Sequence, residues 1–194
     1  LTLLGSLPLG LLVAFGRMSK FKPLQWLVKI YISIMRGTPL ILQIMVVFYG
    51  PYFLLDMTIS QNWRFMAAIV AFILNYAAYF AEIYRGGIEA MPVGQYEAAE
   101  VLGYTKGQTF FKIILPQVIK HILPPVTNEV ITLVKDTSLA SIIAITEMFT
   151  TAKQIAASKS TLMPFVIAAV FYYIFNYAVA FAMERCERSL DYYR

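Results

Sequence analysis

A polar, loop-rich segment lies between two strongly apolar halves of this chain and limits the folds that the chain can adopt. It runs from Glu89 to Pro116. Pro92 followed by Glu97 and Glu100 suits the first turns of a short helix, because proline is tolerated at the first helical position and carboxylates favour the helix N-terminus. We expect Gly103 to end this helix, since glycine adopts the left-handed C-cap conformation at little cost.

A second short helix is predicted directly after this glycine. Thr105 and Gln108 are three residues apart and form the pattern of a capping box, which opens a helix. Pro116 is expected to limit that helix because proline interrupts helical hydrogen bonding. The polar segment is thus predicted to be two short helices joined at a glycine elbow.

The composition of the chain is that of an integral membrane protein. Of the 194 residues, 59% are hydrophobic and 14% are charged, whereas a soluble domain carries roughly 25% charged residues. Aromatic residues gather at bilayer interfaces, and the chain has 14 Phe and 13 Tyr. The net charge of +5 comes from basic residues scattered between apolar runs. This scatter favours topology signals over a nucleic-acid-binding patch.

Residue content also excludes several kinds of chemistry. Cys186 is the sole cysteine and His121 the sole histidine, so we expect no intramolecular disulfide, no His-based triad and no metal site. The sequence contains no Walker A pattern, nucleophile elbow or zincin helix. We therefore expect no catalytic residue and no cofactor in this chain, and we expect any ATP and Mg to be bound by a partner.

Five membrane-spanning helices are predicted, in one all-α membrane domain that covers residues 1–194. The first lies in the apolar stretch 1–15, which is shorter than the roughly 20 residues that a span needs. We expect part of this helix to be missing from the sequence, with a signal-peptide core as the alternative. The other spans are predicted within 24–55, 65–83, 122–146 and 165–183. A polar link is expected at 151–161.

Two of these spans are expected to be interrupted. Pro39 has no N–H and disfavours helical geometry at Thr38, so Gly37-Thr38-Pro39 should break or kink the second span. The part before this break is expected near the membrane interface. The fourth span is interrupted by the polar run from Lys135 to Ser138.

The distribution of basic residues predicts the orientation of the five spans, since cytoplasmic loops are enriched in Lys and Arg. Ten basic residues fall on one side and three on the other. The first side contains Arg17, Lys20, Lys22, Arg85, Lys106, Lys112, Lys120, Arg185, Arg188 and Arg194, and the second contains Arg64, Lys153 and Lys159. The C-terminus and the loop 86–121 are therefore predicted to be cytoplasmic, and the N-terminus extracellular.

Polar residues inside the spans are candidates for function, because they are costly in a bilayer. Asn75, Tyr79 and Glu82 are spaced by four and three residues and so share one helix face. A second shared face consists of Glu129, Thr132 and Asp136. The alternative is that these residues only make interhelical hydrogen bonds or a dimer contact.

The two interruptions predict a site for a zwitterion. A broken helix exposes free N–H groups that can bind a substrate carboxylate, and Asp136 or Glu147 can pair with an ammonium group. The alternative is that both breaks are hinges or packing kinks. The candidate substrate-binding residues are Gly37, Thr38, Asn75, Tyr79, Asp136, Thr137, Ser138 and Glu147.

Three motifs resemble those of a known family. Glu97-Ala98-Ala99, then Gly103, then Ile113-x-Leu115-Pro116 resembles the cytoplasmic "EAA" loop of permease subunits of binding-protein-dependent ABC importers. Arg36-Gly37-Thr38-Pro39 and Lys135-Asp136-Thr137-Ser138-Leu139 are similar to motifs of the polar amino acid branch of that family.

The resemblance implies a type I importer permease fold in the bacterial cytoplasmic membrane. The partners that it implies are a second permease subunit, simplest as a homodimer, two cytoplasmic ATP-binding subunits and an extracellular or periplasmic solute-binding protein. It also implies that the polar loop docks on the ATPase and drives alternating access. The expected ATPase-coupling residues are Glu97, Ala98, Ala99, Gly103 and Tyr104.

The expected substrate is a polar amino acid, and the excess of acidic candidate residues favours a basic one. Two other functions stay open from the residues alone. One is a secondary transporter or channel coupled to ions through Asp136, Glu147 or Glu82, and the other is a structural membrane scaffold.

Overall fold

The computed structural model describes residues 1–56, 58 and 60–189, and every regular element assigned in this part of the chain is helical. These described residues form α1 (Thr2–Met18), α2 (Lys22–Gly37), α3 (Leu40–Leu55), α4 (Gln61–Glu89), α5 (Val93–Val101), α6 (Lys106–Thr109), α7 (Leu115–Asp136), α8 (Met148–Lys159) and α9 (Met163–Ser189). A π-helical turn, Phe110–Ile114, joins α6 to α7, and a 3₁₀ helix, Thr137–Ile143, follows α7. Arg194, one of the predicted cytoplasmic basic residues, lies outside the described residues.

Two of the described helices, α4 and α9, are each long and apolar enough to cross a membrane. Helices α2 and α3 meet that standard together, as a broken span bent by 112°. Helix α1 is apolar but has 17 residues. Length and hydropathy thus account for two spans, or three with the bent pair, and the total of five stays a prediction.

Helix α1 packs along α4 in the same direction. A Cβ at Gly5 would meet the Ile73 side chain, and one at Gly10 would lie 2.8 Å from Cβ of Phe80. Residue numbers therefore rise together along the two helices. Gly5 and Gly10 of α1 face α4, which allows this close approach.

Helices α3 and α7 run antiparallel to α4. The residues in contact show this, because numbers rise along one helix as they fall along the other. The contacts are Gln43 with Asn75 and Phe48 with Trp63 for α3, and Asp136 with Tyr76 and Ile122 with Gly87 for α7. This alternation is the one expected of successive membrane crossings.

The largest core cluster surrounds α4. Helix α4 contributes its small residues Ala67, Ala68 and Ala71 and its aromatic residues Phe72, Tyr76 and Phe80. Residues of α3, α7 and the 3₁₀ helix complete the cluster. In contrast, only 6% of the apolar window of α9 is buried within the chain, which leaves an apolar surface for lipid or another subunit.

The prediction that Pro116 limits the second helix of the polar segment is wrong. The chain passes from α6 through the π-helical turn into α7, where Pro116 occupies the first turn. A proline is tolerated there because its missing N–H has little effect at the start of a helix. The first short helix also starts one residue later than expected, with Pro92 as its N-cap.

The predicted polar link at 151–161 is also wrong in large part, since α8 covers Met148–Lys159. The polar composition of this stretch is typical of a link, but the stretch forms a helix that Glu147 caps at its N-terminus. The predicted spans 65–83 and 165–183 lie within α4 (Gln61–Glu89) and α9 (Met163–Ser189), which extend beyond them at both ends.

Candidate functional site

The break between α2 and α3 is held by side-chain hydrogen bonds. In an α-helix the carbonyl of Met35 would accept from the N–H of the residue four positions on, but that residue is Pro39, which has none. The Met35 oxygen instead accepts from Nε2 of Gln43 at 2.9 Å and from Nδ2 of Asn75 at 3.1 Å. Two side-chain amides thus replace the missing backbone donor.

The same two amides also bind each other and Thr38. Nδ2 of Asn75 donates to Oε1 of Gln43 at 2.8 Å. Nε2 of Gln43 lies 2.8 Å from Oγ1 and 3.1 Å from the carbonyl oxygen of Thr38. The hydroxyl of Thr38 donates to the Ile34 carbonyl at 2.8 Å. Asn75 is 4% exposed and Gln43 8% exposed, so the two amides lie in the protein interior, whereas Thr38 is exposed.

Gln43 is a residue of this network that sequence reasoning missed. It is a polar residue in an otherwise apolar helix, which is the property that made Asn75 a candidate. Applying the same rule to the residues that follow Pro39 would have found it.

The second break, after α7, is a change of helix type. The N–H of Thr137 donates to the Leu133 carbonyl, so this amide is engaged within the helix and is not a free half-helix N-terminus as predicted. The hydroxyls of Thr137 and Ser138 donate to the carbonyls of Val134 and Lys135 at 2.7 and 2.8 Å. They add side-chain donors to two carbonyl groups in the last turn of α7, where helical partners begin to run out.

Asp136, the last residue of α7, is bonded to α4. The hydroxyl of Tyr76 donates to Oδ2 of Asp136 at 2.7 Å. Tyr76 follows directly after Asn75, so two consecutive residues of α4 bind the two breaks.

Glu147 caps the N-terminus of α8. Its carboxylate accepts from the backbone N–H groups of Phe149 and Thr150 at 2.7 and 2.6 Å. The hydroxyl of Tyr172 on α9 donates to the same carboxylate at 3.2 Å. These N–H groups are therefore occupied by the chain's own carboxylate. In contrast, the N-terminus of α3 has no side-chain cap.

A charged cluster joins α1, α2 and α4 further along the α4 face. Glu82 lies 2.7 Å from Nη2 of Arg85, 3.7 Å from Nη1 of Arg36 and 3.9 Å from Nε of Arg17. The Arg36 guanidinium also lies over the ring of Tyr79, 5.4 Å from its centroid. This distance is within the range of a cation–π interaction.

The structure thus places most of the predicted substrate-binding residues near the middle of α4. Thr38, Asn75 and Asp136 are linked through α4, and Tyr79 is one turn further on. Gly37, Thr137 and Ser138 are at the breaks themselves. Glu147 belongs to a separate hydrogen-bonded group with Thr150 and Tyr172.

The elbow of the polar segment has the geometry predicted for it. Gly103 adopts a φ of +79°, and its N–H donates to the Glu100 carbonyl at 2.9 Å. The N–H of Tyr104 donates to the Ala99 carbonyl at 3.0 Å. This pair of bonds is a Schellman motif, and it confirms Gly103 as the end of α5. The capping box of Thr105 and Gln108 is also present.

Helix α5 presents an exposed surface. Glu97 and Ala98 are exposed, as are two large apolar residues, Val101 at 88% and Leu102 at 73%. Ala99 is only 1% exposed, so it lies on the opposite face of α5 and packs within the chain. Solvent-exposed apolar residues at the tip of a helical elbow are typical of a docking site.

The sequence from residue 6 to residue 192 matches the family of binding-protein-dependent transport system inner membrane components. The chain belongs to this family. The resemblance drawn from the EAA loop is thereby confirmed, together with the all-α permease fold and the role of a translocation subunit. Members of this permease family work with ATPase and substrate-binding partners, and no comparison favours an ion-coupled transporter.

Individual relatives of the permease carry related names. The L-cystine transport system permease protein TcyB of Bacillus subtilis (strain 168) is 40% identical over 188 residues, which cover 95% of this chain and 78% of TcyB. The arginine transport system permease protein ArtQ of the same organism is 40% identical over 183 residues, which cover 94% of this chain and 82% of ArtQ.

A solved structure has the same fold as the permease. The crystal structure of an amino acid ABC transporter with histidines matches it with a TM-score of 0.86 and 32% identity. The match covers 97% of this chain and 86% of the solved chain.

Proposed function

We propose that this chain is the permease subunit of an ATP-driven importer that carries a polar amino acid into the cytoplasm by alternating access. The observation that carries the proposal is that one pair of helices, α4 and α7, joins an exposed docking elbow to two polar helix breaks. Relatives named for L-cystine and arginine transport support an amino acid substrate.

The proposed substrate site lies beside α4, between the two breaks. The uncapped N-terminus of α3, after Gly37 and Thr38, provides N–H groups for the substrate carboxylate. Asp136 provides a carboxylate for an ammonium group, and Tyr79 provides an aromatic wall. An acidic residue in this position favours a basic amino acid over an acidic one.

The remaining predicted site residues support this site indirectly. Asn75 shapes the first break, and the hydroxyls of Thr137 and Ser138 complete the second. Glu147 caps the next helix. Each affects the site through the backbone that it holds.

Energy enters through the elbow around α5. Glu97 and Ala98 face outward and contact the partner ATPase, while Val101 and Leu102 supply apolar area. Gly103 sets the angle between α5 and α6, and the N–H of Tyr104 stabilises this turn by its bond to the Ala99 carbonyl. Closure of the ATPases on ATP and Mg then displaces the elbow and, through it, α4 and α7.

We place the permease in the bacterial inner membrane, with the N-terminus outside and the elbow inside. The basic residues favour this orientation, and the alternating directions of α1, α3, α4 and α7 fit it. We propose that a homodimer, two ATP-binding subunits and a solute-binding protein complete the importer. The exposed apolar surface of α9 provides area for contact with lipid and with the second subunit.

Purification of the tagged permease from native membranes tests the function. We expect an ATPase to co-purify, and its turnover in proteoliposomes to rise with the binding protein loaded with arginine, lysine or cystine. Glu97→Arg should abolish this rise, whereas the charge reversal Glu187→Arg on the exposed end of α9 should not. Uptake driven by an ion gradient without ATP, or an unaffected Glu97→Arg variant, would overturn the proposal.

A further inference from the structure

Two consecutive side chains of α4, Asn75 and Tyr76, each hold one helix break. Successive residues of an α-helix point about 100° apart, so the two side chains leave α4 in different directions. Asn75 reaches the break between α2 and α3, where it binds Met35 and Gln43. Tyr76 reaches the end of α7, where it binds Asp136.

Helix α4 also leads without interruption to the elbow. It continues from Tyr76 to Glu89, about 20 Å at a rise of 1.5 Å per residue, and no proline interrupts it. Near the elbow α4 is packed tightly on α7, because Gly87 leaves no space for a Cβ beside Ile122. Helices α4 and α7 are therefore joined at both ends. Near the elbow they are joined by packing of Gly87 on Ile122, and near the breaks by the hydrogen bond from Tyr76 to Asp136.

At the first break, the partly buried carbonyl of Met35 joins α2 to both α3 and α4. The Met35 oxygen has two donors, from Gln43 and Asn75. Loss of either amide leaves this carbonyl with one donor instead of two, and loss of a hydrogen-bond partner in a site shielded from water is costly. Both amides therefore restrain the bend.

We propose that Gln43, Asn75 and Tyr76 form a clamp that fastens both helix breaks to α4. A displacement of the elbow then reaches both breaks together, and the two halves of the substrate site open and close in step. The three residues are positioning residues and need not touch the substrate. The proposal rests on the importer function proposed above, and it adds the parts that convert elbow motion into a change at the site.

Stoichiometry of transport tests the clamp. Asn75→Ala removes the amide, and Tyr76→Phe removes only the hydroxyl and keeps the ring. In proteoliposomes containing the whole importer, we expect ATPase stimulation to stay within twofold of the unmodified complex. We expect the amino acid carried per ATP hydrolysed to fall at least fivefold in each variant, with Asn62→Ala and Tyr177→Phe, both at exposed positions, as matched controls without effect. ATPase stimulation and transport falling together, at an unchanged ratio, would overturn the clamp.

A distance measurement tests the clamp independently of transport. In a Cys186→Ser background, spin labels at the exposed positions Lys29 and Val46 report the angle between α2 and α3. We expect a narrow distance distribution for the full-length permease in nanodiscs and a broad one for Asn75→Ala. The Asn62→Ala control should remain narrow. An equally narrow distribution in Asn75→Ala would show that the amide does not hold the bend.

Gln43→Ala provides a second distance variant if Asn75→Ala does not accumulate. These measurements separate the two proposals, because failure of amino acid transport in the unmodified complex contradicts the importer function while the distances still report on the clamp.

Discussion

The backbone of Gly87 packs directly against the side chain of Ile122, where α4 and α7 lead away from the elbow. A Cβ at position 87 would lie 2.2 Å from Cγ2 of Ile122. Ile122 is β-branched and stiff in a helix, so it cannot rotate away easily. This contact sets how closely α4 and α7 approach each other near the elbow.

Substitution of two adjacent glycines tests this contact. Gly87→Ala should lower the melting temperature by several degrees, because overpacking a tight contact costs about 1–3 kcal/mol. A Cβ at Gly86 meets nothing within 4 Å, so Gly86→Ala should be neutral or stabilising through helix propensity. Thermal unfolding of both variants in detergent checks this. Equal melting temperatures for the two would contradict the close packing.

Gly103→Ala should disturb the elbow without changing its surface. A φ of +79° is costly for a residue with a Cβ, about 1–2 kcal/mol, so the end of α5 should fray. We expect lower ATPase stimulation at unchanged amounts of folded permease. Gly107→Ala is the matched control, because position 107 has open space and does not adopt a positive φ. Full stimulation in Gly103→Ala would show that the elbow angle is not important for coupling.

Glu82→Gln should destabilise the permease, because it leaves Arg17, Arg36 and Arg85 near one another without their shared carboxylate. Breaking a fully buried ion pair costs about 3–5 kcal/mol. The Glu82 side chain is 19% exposed, so we expect a smaller loss, on the order of 2 kcal/mol. Glu184→Gln, which removes an exposed pair with Arg188, should have almost no effect. Chemical unfolding curves of both variants provide the comparison, and equal midpoints would rule out the cluster as a stabilising feature.

Two substitutions of Glu147 distinguish its role as a helix cap from a direct contact with the substrate. As a cap, Glu147 uses both carboxylate oxygens, Oε2 for the N–H of Phe149 and Oε1 for the N–H of Thr150. Glutamine keeps one of these acceptors, so Glu147→Gln should retain most of α8 and most of the uptake of arginine or lysine. Glu147→Ala should lose about 1 kcal/mol of helix stability and show faster amide exchange across Met148–Lys159. Uptake that is lost equally in both variants would favour direct pairing of Glu147 with the substrate ammonium.

Features that depend on a few neighbouring residues could be predicted from the sequence. The Schellman end at Gly103 and the capping box of Thr105 and Gln108 are examples, because both follow from local backbone chemistry. The break before Pro39 was predictable for the same reason. Local chemistry was misleading where it allowed two outcomes. A proline can end a helix or begin one, and Pro116 does the latter because a π-helical turn precedes it.

The sequence could predict which polar residues belong to the candidate site, but not which of them bond to each other. The cost of polar groups in a bilayer identified Asn75 and Asp136, and the structure connects both to α4. The sequence could not show that Tyr76, which follows the predicted residue Asn75, is the partner of Asp136. Nor does the sequence show that Glu147 caps α8, because the polar composition after Glu147 is also typical of a link.

The sequence by itself determined that this chain is a helical membrane permease with a glycine elbow and a broken second span. It also determined that the carbonyl of Met35 would lack its backbone donor, since Pro39 has no N–H. Only the tertiary structure decided what replaces that donor: Gln43, and Asn75, which lies 32 residues from Gln43. The pairing of Tyr76 with Asp136, 60 residues apart, was decided in the same way. The physical reason is that a backbone conformation depends on adjacent residues, whereas the partner of a buried side chain depends on which helices pack together.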